Sequence, residues 1–346
     1  MKRRLFEAVA PRCPACGTGA LRLGVVAEGD ADAVRTGAIH CGNPACYKEF
    51  PIVDGVPWLV PDPRAFLQVH GPSLLERDDL DPFMTGLLGD GLGPNTTFDA
   101  TRQHRSSYGW GHWGDLAGLG DSGLAGLFAA AAPFLTGLPD GLVVEIGSAM
   151  GRVTAELAAH THRPVLGIDL HVAMLRASQR LLRDGVARFP FRRSGVVFDG
   201  AEVPVPHDLS NVDFWGADGR QLPFQDGQIA GLLLLNVFDT LVAPYEFLGR
   251  LPTLLAPGGV CVMAQPYDWS TSATAFDQWI GGHSQRGFEQ GDPAATVRAL
   301  LDGRHPGAIA GLELLGEVDD LPWIVRMHDR AQMHYRCHLV AVRRAG

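Results

Sequence analysis

The feature that most constrains the fold is VVEIGSAMGRVTAEL at residues 143–157, an apolar run that ends in an acid and passes two glycines before a helical pattern. Gly147 allows a sharp turn after a strand, and Gly151 allows a ligand to approach the backbone where the helix starts. A strand, a glycine-rich turn and a helix form the first part of a βαβ unit. The glycine spacing differs from G-x-G-x-x-G, which counts against a NAD-dependent oxidoreductase.

The same alternation continues along the chain. Strand-like runs such as PVLGIDL, LLLLNVF and GGVCVMAQP alternate with helical segments such as VAMLRASQRLLRDG and YEFLGRLPTLL, and a further strand is predicted near 212–217. This order predicts a parallel sheet covered by helices on both faces. Two segments differ: LELLGEV and YRCHLVAVRR, separated by WIVRMHDRAQM, indicate an antiparallel hairpin at the sheet edge, and we interpret residues 186–211 as an insertion.

Three acids follow predicted strands where an α/β fold binds a nucleotide. Glu145 precedes the glycine turn, Asp169 ends the next strand in VLGIDLH, and Asp218 follows a third strand in GADGRQLPF. A carboxylate at the second position can accept both ribose hydroxyls. Taken with LPFQDGQIAGLLLLN and LLAPGGV, these pieces resemble, in order and place, the motifs of class I S-adenosylmethionine (SAM) methyltransferases. The resemblance covers residues 136–346 and implies a doubly wound α/β domain with a mainly parallel seven-stranded sheet.

The resemblance also implies a SAM site and an enzyme of class EC 2.1.1.-. Glu145 would orient the loop and the methionine end of SAM, Asp169 would bind the ribose, and Asp218 would face the adenine amino group. The predicted cofactor-binding residues are Glu145, Gly147, Ser148, Gly151, Asp169, Leu170, Asp218, Gly219 and Asn236.

Four of the six cysteines lie in the first 46 residues, as Cys13-Pro-Ala-Cys16 and Cys41-Gly-Asn-Pro-Ala-Cys46. Two close pairs suit a tetrahedral Cys₄ zinc site, whereas the alternative is four unrelated buried cysteines. The following FPIVDGVPWLVPDP resembles small zinc-binding proteins related to the activator subunit of eukaryotic tRNA and protein methyltransferases. We therefore expect a β-rich zinc ribbon over residues 1–62, with structural Zn²⁺, that docks on the catalytic domain or recruits a substrate.

Residues 63–135 are expected to form a helical linker, with loops at GDGLGPNTT and GWGHWGDL, before a methyltransferase domain at 136–346. Tyr108, Trp110 and Trp113 lie in its aromatic, glycine-rich end, SSYGWGHWGDL. Two interpretations remain open for this segment: a lid over SAM and substrate, or a packing bridge between domains.

The acceptor is suggested by a second resemblance. Pro266-Tyr267, the run Trp279-Ile280-Gly281-Gly282 and the run from Asp320 to Arg326 resemble features of imidazole N-methyltransferases of the carnosine and ovothiol type. Met327-His328 departs from the acid and neighbour expected there, which puts the identity of the acceptor in doubt. The resemblance implies methyl transfer to a nitrogen, or an oxygen, of a small molecule or peptide.

Residues after the fourth and fifth strands should face the methyl group. They include Asn236, Asp239, Tyr267, Asp268 and Trp269. The candidate catalytic residues are Tyr267, Asp239 and His328, and the candidate substrate-binding residues are Tyr108, Trp110, Trp269 and Arg326. Tyr267 could instead cover the sulfonium, Asp239 could cap a helix, and His328 could be an exposed hairpin residue. Arg326 could bind a substrate carboxylate in bidentate fashion.

Charge and hydropathy limit the partners. The formal net charge is −9, which does not suit an RNA-binding surface. An RNA methyltransferase that recruits substrate through its ribbon, and a non-catalytic SAM-fold binding partner, remain as alternatives. No apolar run approaches 18 residues, and MKRRLFEAVAPRC lacks the apolar core of a signal peptide, so we expect no membrane span and a cytoplasmic protein. The oligomeric state stays open.

Overall fold

A computed structural model describes residues 1–77 and 79–345. Asp78 of the predicted linker and Gly346, the last residue of the predicted catalytic domain, lie outside the described residues. The helices are α1 Arg3–Val9, α2 Pro63–Leu75, α3 Pro82–Leu92, α4 Thr97–Trp113, α5 Leu124–Ala131, α6 Arg152–Thr161, α7 Val172–Asp184, α8 Pro244–Leu254 and α9 Pro293–Asp302. The strands are β1 Leu21–Gly29, β2 Val34–Cys41, β3 Glu49–Val53, β4 Val56–Leu59, β5 Leu142–Ile146, β6 Val165–Asp169, β7 Val186–Ser194, β8 Val197–Pro204, β9 Val212–Ala217, β10 Ile229–Leu235, β11 Leu255–Gln265, β12 Leu312–His328 and β13 Ala331–Arg344. Short 3₁₀ turns lie at Ala132–Leu135, Phe238–Thr240, Phe276–Gln278 and Phe288–Gly291.

Eleven strands of the described chain form one mixed sheet in the order β1-β2-β3-β4-β9-β6-β5-β10-β11-β13-β12. Neighbours from β4 to β11 are parallel, while β13 is antiparallel to β11 and to β12. The predicted α/β class and mainly parallel central sheet are therefore confirmed. The sheet is larger than the predicted seven strands because the strands of the first 62 residues join its edge.

This joining depends on one short parallel pairing. Trp58 and Leu59 of β4 pair with Gly216 and Ala217 of β9. The ring of Trp58 occupies the space where a side chain at position 216 would lie, so glycine is required there. The predicted ribbon thus continues the catalytic sheet, and its boundary at residue 62 remains a prediction.

Alternating side chains of the central strands bury two separate layers. Val144 on β5 packs with residues of α8 and α9, whereas its neighbour Val143 packs with residues of α5, α6 and α7. Because both faces are covered, β10 is buried at every position from Ile229 to Leu235. This matches the continuous apolar run LLLL, as expected for a central parallel strand.

The predicted insertion is a two-stranded hairpin, β7 and β8, that lies outside the main sheet. It packs on α4, where a side chain at Gly109 would collide with Phe189 of β7. The loop predicted at GWGHWGDL is wrong up to Trp113, because α4 continues to that residue. None of the helices within the described ranges has the length and hydrophobicity needed to cross a bilayer.

The C-terminal hairpin is confirmed but is longer than predicted. Residues of WIVRMHDRAQM, which we expected to separate the two strands, pair with each other up to His328 and Ala331. Strand β11 ends at Gln265 opposite His338, so residues 319–337 of the hairpin project beyond the sheet. Ser107 of α4 donates to the carbonyl oxygen of Arg326 at 2.7 Å, which ties this projection to the linker.

Candidate active site

The predicted cofactor residues come together at the carboxyl edge of the parallel strands. Strand order reverses at β5, which has β6 on one side and β10 on the other. Open α/β sheets bind ligands in the crevice at such a switch point. The glycine loop after β5, Asp169 at the end of β6 and Asn236 after β10 all lie at this edge.

The glycine loop is held by packing underneath it. Gly147 and Gly151 both have φ of 79°, a conformation that favours glycine. A side chain at Gly147 would lie 2.9 Å from Val237, and one at Gly151 would lie 2.7 Å from the ring of Phe214. The backbone conformation of Gly151 and this ring already require glycine there, and the expected approach of a ligand stays a prediction. The buried hydroxyl of Ser148 has no hydrogen-bond partner among the described residues, so it is a polar group that a ligand could satisfy.

Glu145 lies beneath this loop and is 2% exposed. Its carboxyl accepts a hydrogen bond from the Thr154 hydroxyl, and burial raises the pKa of Glu145 to about 8. A nearby positive charge would favour the ionised form and lower that pKa. Glu145 is thus suited to respond to a cationic ligand group.

Asp169 ties the loop to the end of β6. Its Oδ2 accepts from the amide of Ala149 at 2.9 Å, and its Oδ1 accepts from the amides of Leu170 at 2.7 Å and His171 at 2.8 Å. A carboxylate has about four lone-pair sites, so these three bonds leave one site, on Oδ2, for a hydroxyl donor. The contribution of Leu170 seen here is its backbone amide.

Asp218 has a protein partner that we did not expect. Its carboxylate forms an ion pair with Arg220 at 2.6 Å and also accepts from the amide of Arg220 at 2.9 Å. An adenine contact would have to share this carboxylate with the arginine. A side chain at the adjacent Gly219 would lie 3.3 Å from Leu241 and 3.8 Å from Ile146, so the glycine borders an apolar surface.

Asn236 and Asp239 follow β10. The amide of Asn236 donates to the carbonyl oxygen of Ala264 at 2.7 Å, and its side-chain oxygen accepts from the Cys337 thiol at 3.1 Å. Asp239 is 3% exposed, and its Oδ2 accepts from the amide of Asp268 at 2.7 Å. Burial raises the pKa of Asp239. The carboxyl therefore joins the ends of two neighbouring strands at the centre of the edge.

Tyr267 follows β11 with φ of 58°. Its hydroxyl accepts from Gln265 Nε2 at 3.0 Å and lies 2.8 Å from His338 Nδ1, and burial raises the pKa of Tyr267. The ring centroid of Trp269 is 6.4 Å from that of Tyr267 and 6.2 Å from that of Trp279. These rings form an aromatic wall on the side of β11.

Helix α4 supports the site at one end and reaches into it at another. The indole nitrogen of Trp113 donates to the carbonyl oxygen of Met150 at 3.0 Å, within the glycine loop. Trp110 is 2% exposed and donates to Leu119, so it packs inside the linker rather than lining an open pocket. Tyr108 keeps 43% of its surface exposed, yet burial of its hydroxyl and the carboxylates of Asp169 and Asp239 raise its pKa. Trp110 and Trp113 therefore serve as packing residues of the linker, whereas Tyr108 is the aromatic residue of this segment that lies near the predicted site.

Two expected site residues lie elsewhere. Arg326 is 4% exposed, pairs with Asp329, donates to the carbonyl oxygen of Arg192 at 2.8 Å and has its guanidinium 3.7 Å from the ring centroid of Phe191. These contacts join the C-terminal hairpin to β7 through Nη2 and the face of the guanidinium. Nη1 is buried and has no hydrogen-bond partner among the described residues, so a role in binding a substrate carboxylate stays a prediction.

His328 is at the tip of the same hairpin, opposite Ala331. Six residues of β13 lie between Ala331 and His338, which places them roughly 20 Å apart along a strand. His338, not His328, contacts Tyr267, so the structure does not bring His328 to Tyr267 and Asp239. The Nδ1 of His328 accepts instead from the amide of Arg330 at 3.3 Å.

Other site residues were missed because no motif contains them. The hydroxyl of Tyr335 donates to Asp268 at 2.8 Å, and the Tyr335 ring stacks on Trp323 with centroids 5.1 Å apart. His338 is 2% exposed and contacts Tyr267 and Glu317. A histidine inside the apolar run CHLVAV was a usable signal, since a buried polar group needs a partner.

The four N-terminal cysteines converge as predicted. The Sγ atoms of Cys13, Cys16, Cys41 and Cys46 all lie within 4.8 Å of one another. The Cys13–Cys46 and Cys16–Cys41 distances are 3.9 Å and 3.7 Å. A tetrahedral zinc ion with Zn–S bonds of about 2.3 Å requires sulfur separations of about 3.8 Å. The donor set and its spacing therefore fit Zn²⁺.

The turns around these cysteines have the local contacts of a metal-binding knuckle. The amide of Gly19 donates to Cys16 Sγ at 3.4 Å, and the amide of Asn43 donates to Cys41 Sγ at 3.4 Å. Backbone donors from Thr18 and Gly19 lower the pKa of Cys16 to about 5, whereas burial raises the pKa of Cys13 and of Cys41. The thiolate that binds metal is therefore favoured at Cys16 without a metal, but not at Cys13 or Cys41. A side chain at Gly19 would collide with Cys41 Sγ.

Comparison with known proteins identifies the class of this domain. Residues 144–263 match the family model described as a methyltransferase domain, over about a third of the chain. This span runs from β5 to β11 and contains the glycine loop, Asp169, Asp218 and Asn236. The chain therefore carries a methyltransferase domain. No curated protein matches the sequence.

Several solved structures match this chain at low similarity. A phosphoethanolamine N-methyltransferase of Haemonchus contortus, in complex with SAM, is 15% identical with a TM-score of 0.36; the match covers 49% of this chain but 34% of that chain. A chain from the complex between the Haloferax volcanii Trm112 methyltransferase activator and a methyltransferase is 15% identical, covering 72% of this chain and 96% of that one, with a TM-score of 0.40. The N-methyltransferase NodS of Bradyrhizobium japonicum is 17% identical over 65% and 97%, with a TM-score of 0.38. At these values we draw no functional conclusion from them.

Proposed function

We propose that this protein is a SAM-dependent methyltransferase that modifies a nitrogen, or an oxygen, of a small molecule or peptide, with an imidazole as the leading acceptor. The observation that carries the proposal is that acidic and phenolic groups lie together next to the glycine loop, at the carboxyl ends of the parallel strands. Asp169, Asp239 and Tyr108 share this edge, and the charges of both acids act on the tyrosine. The matched methyltransferase domain spans the same edge.

The residues present suit SAM. The unpartnered Ser148 hydroxyl, the free lone pair of Asp169 Oδ2 and the buried Glu145 carboxyl are polar groups arranged around the loop. Glu145 would face the amino group of the methionine end, and Asp169 would accept a ribose hydroxyl. SAM supplies an electrophilic methyl group on a positively charged sulfur. The chain's own task is then to align an acceptor and to take up its proton.

The acceptor side carries groups that accept hydrogen bonds from an N–H. Asp239 and Tyr267 lie at the ends of neighbouring strands, and Tyr335 approaches from the hairpin through Asp268. A neutral imidazole has one nitrogen that can attack and another whose N–H must be held, so the tautomer has to be selected. Tyr267 and Asp239 would hold that N–H. A polyanionic acceptor such as RNA would meet the negative charge of Asp239 and Asp268, which disfavours it.

The test is transfer of labelled methyl from SAM to a panel of histidine derivatives, small phenols, peptides and bulk RNA. We expect label in a histidine derivative and not in RNA. Asp169→Ala should abolish most of the transfer by weakening SAM binding, whereas Asp140→Asn, at an exposed turn before β5, is the matched control and should not alter it. Label in RNA alone would replace this proposal with the RNA methyltransferase alternative. Binding of SAM without transfer to any class would favour the non-catalytic alternative.

For the cysteine cluster we propose a structural Zn²⁺. Four thiolates fill a tetrahedral shell, which leaves no position for a reacting water. Many buried apolar residues of the small ribbon belong to a core shared with the catalytic sheet, and a metal would hold the two cysteine turns together beside it. Its continuity with the catalytic sheet through β4 favours a docking role over substrate recruitment.

A further inference from the structure

We propose that Tyr267, His338 and Glu317 form a proton relay that removes the acceptor's proton after methyl transfer. The inference rests on the proposed function and adds a route for the proton. It starts from a chain of contacts across three elements. Tyr267 Oη lies 2.8 Å from His338 Nδ1, and His338 Nε2 lies 3.2 Å from Glu317 Oε2.

The outer end of this chain fixes the histidine tautomer. Arg298 Nε donates to Glu317 Oε2 at 2.6 Å. Burial acts to raise the pKa of Glu317, but the hydrogen bonds from Arg298 and His338 outweigh it and hold that pKa below its ordinary value. An ionised carboxylate only accepts hydrogen bonds, so His338 must carry its proton on Nε2. Its Nδ1 is then an acceptor.

The tautomer in turn fixes the direction of the tyrosine hydrogen bond. Tyr267 must donate its O–H to Nδ1 of His338, while its oxygen already accepts from Gln265 Nε2 at 3.0 Å. The oxygen keeps one lone pair free for an acceptor N–H, and its own proton points away from the acceptor. Tyr267 is therefore oriented to receive a proton rather than to give one.

The step balances without a further reagent. The acceptor nitrogen forms a bond to the methyl carbon, whose bond to sulfur breaks with its electron pair going to sulfur. The product nitrogen cation loses the proton on its N–H to Tyr267 Oη as the tyrosine's own proton moves to His338 Nδ1. The resulting imidazolium is paired with the Glu317 carboxylate, which is 34% exposed and can return the proton to solvent.

Several charged groups surround this relay. On the β12 side they are Glu317 and Asp319, and on the α9 side they are Arg298 and Asp292; Asp239 acts on Tyr267 from the β10 side. The acids outnumber the single cation among these groups. His338 itself is 2% exposed, so bulk water does not compete with its Nδ1 for the hydroxyl proton of Tyr267.

The first experiment does not depend on activity. Nitrogen-15 NMR of histidine-labelled protein should show His338 as the Nε2–H tautomer, and Glu317→Gln should increase the Nδ1–H form, because the carboxamide can also donate. Glu317 lies partly at the surface, so this variant should fold. An Nδ1–H tautomer in the wild type would overturn the relay, even if methyl transfer is confirmed.

The second experiment measures methyl transfer to the histidine derivative found in the panel. His338→Asn keeps a neutral hydrogen-bond partner near the Nδ1 position but cannot take up a proton. We expect kcat to fall roughly tenfold to a hundredfold with unchanged SAM affinity, and the variant's kcat to keep rising with pH where the wild type is level. His334→Asn, exposed on the same strand, is the matched control.

The two failures are distinguishable. Wild-type kcat and pH profile in His338→Asn would mean that the histidine only positions Tyr267, which would overturn the relay but leave the methyltransferase intact. Absence of transfer by the wild type to every acceptor would instead defeat the proposed function, while the NMR result would still decide the tautomer.

Discussion

The cysteine cluster and the acceptor side of the active site are assembled in opposite ways. The four cysteines lie within residues 13–46, on two turns of one small β-meander. Tyr108, Asp239, Tyr267, Tyr335 and His338 come from α4, from two strand ends and from a hairpin that folds back over them. The first is a local arrangement, and the second exists only when distant elements pack together.

This difference decides how each region should respond to mutation. A local site should fail as a unit when its metal is lost, whereas a site built from distant elements should lose one function at a time. The cysteine cluster is not fully independent of the active site, because the pairing of β4 with β9 connects the two regions through one sheet.

The largest effect is expected from removing the metal. Cys13→Ser/Cys16→Ser should lose the proposed single zinc per chain and unfold the strands up to β4, because zinc binding contributes roughly 10–16 kcal/mol in small zinc-binding peptides. Metal analysis and hydrogen exchange of residues 1–62 would measure this. Unchanged metal content would contradict the assignment, and loss of protection that spreads to β9 would show coupling through the sheet.

The next effect concerns SAM. Asp169→Ala should weaken SAM binding by about 1.5–3 kcal/mol, or more than tenfold, because it removes charge-assisted hydrogen bonds to the ribose. It also removes the contact with the Ala149 amide that holds the loop. Calorimetry would measure the affinity, with Asp169→Asn as a comparison that keeps an acceptor oxygen. Unchanged affinity in Asp169→Ala would remove Asp169 from the cofactor site.

Arg326→Ala tests a residue whose expected role and observed contacts differ. Its pairing with Asp329 and its stacking on Phe191 lead us to expect a loss of about 1–3 kcal/mol in the free energy of unfolding. The KM for the acceptor should change little. Thermal unfolding and steady-state kinetics decide between the two roles. A large rise in KM with unchanged stability would restore the carboxylate-binding role suggested by the sequence.

The smallest effect is a pH dependence from Glu145. Its pKa in the folded protein is raised from the ordinary value of 4.5 to about 8 by burial. The folded state therefore holds a proton that the unfolded state has released, and its stability falls as the pH rises from about 4.5 through about 8. Glu145→Gln, which stays neutral, should be more stable than the wild type at pH 8 by a few degrees in Tm, and the difference should shrink toward pH 5. An equal difference at both pH values would refute this interpretation.

The sequence predicted the central fold well because its signals are local. The run LLLL, the glycine loop and the acids at strand ends each specify one element or one turn, and parallel strands bring their carboxyl ends to the same edge. The cysteine spacing likewise reports a short-range arrangement. These are the features that lie within a few residues of each other or follow from strand direction alone.

The remaining features depend on pairings that no short pattern records. The partner of Tyr267 is 71 residues away, at His338, and is set by the register between β11 and β13. The length of the C-terminal hairpin arises because its arms pair with each other beyond the sheet. For the same reason His328 was expected near the reaction but lies at the hairpin tip, while Arg326 fastens that hairpin to β7.

The pairing of β4 with β9 also changes which strand is at the border of the sheet. Strand β9 is buried at every position from Val212 to Ala217, so without β4 it would present an apolar, unpaired edge. The outermost strand is instead β1, which is mostly exposed and has three irregularities in its register with β2. Bulged and charged borders resist pairing with the edges of other molecules. The N-terminal strands should thus protect the protein from self-association, and deletion of β1 to β4 alone should promote aggregation even though the residues of the active site are kept.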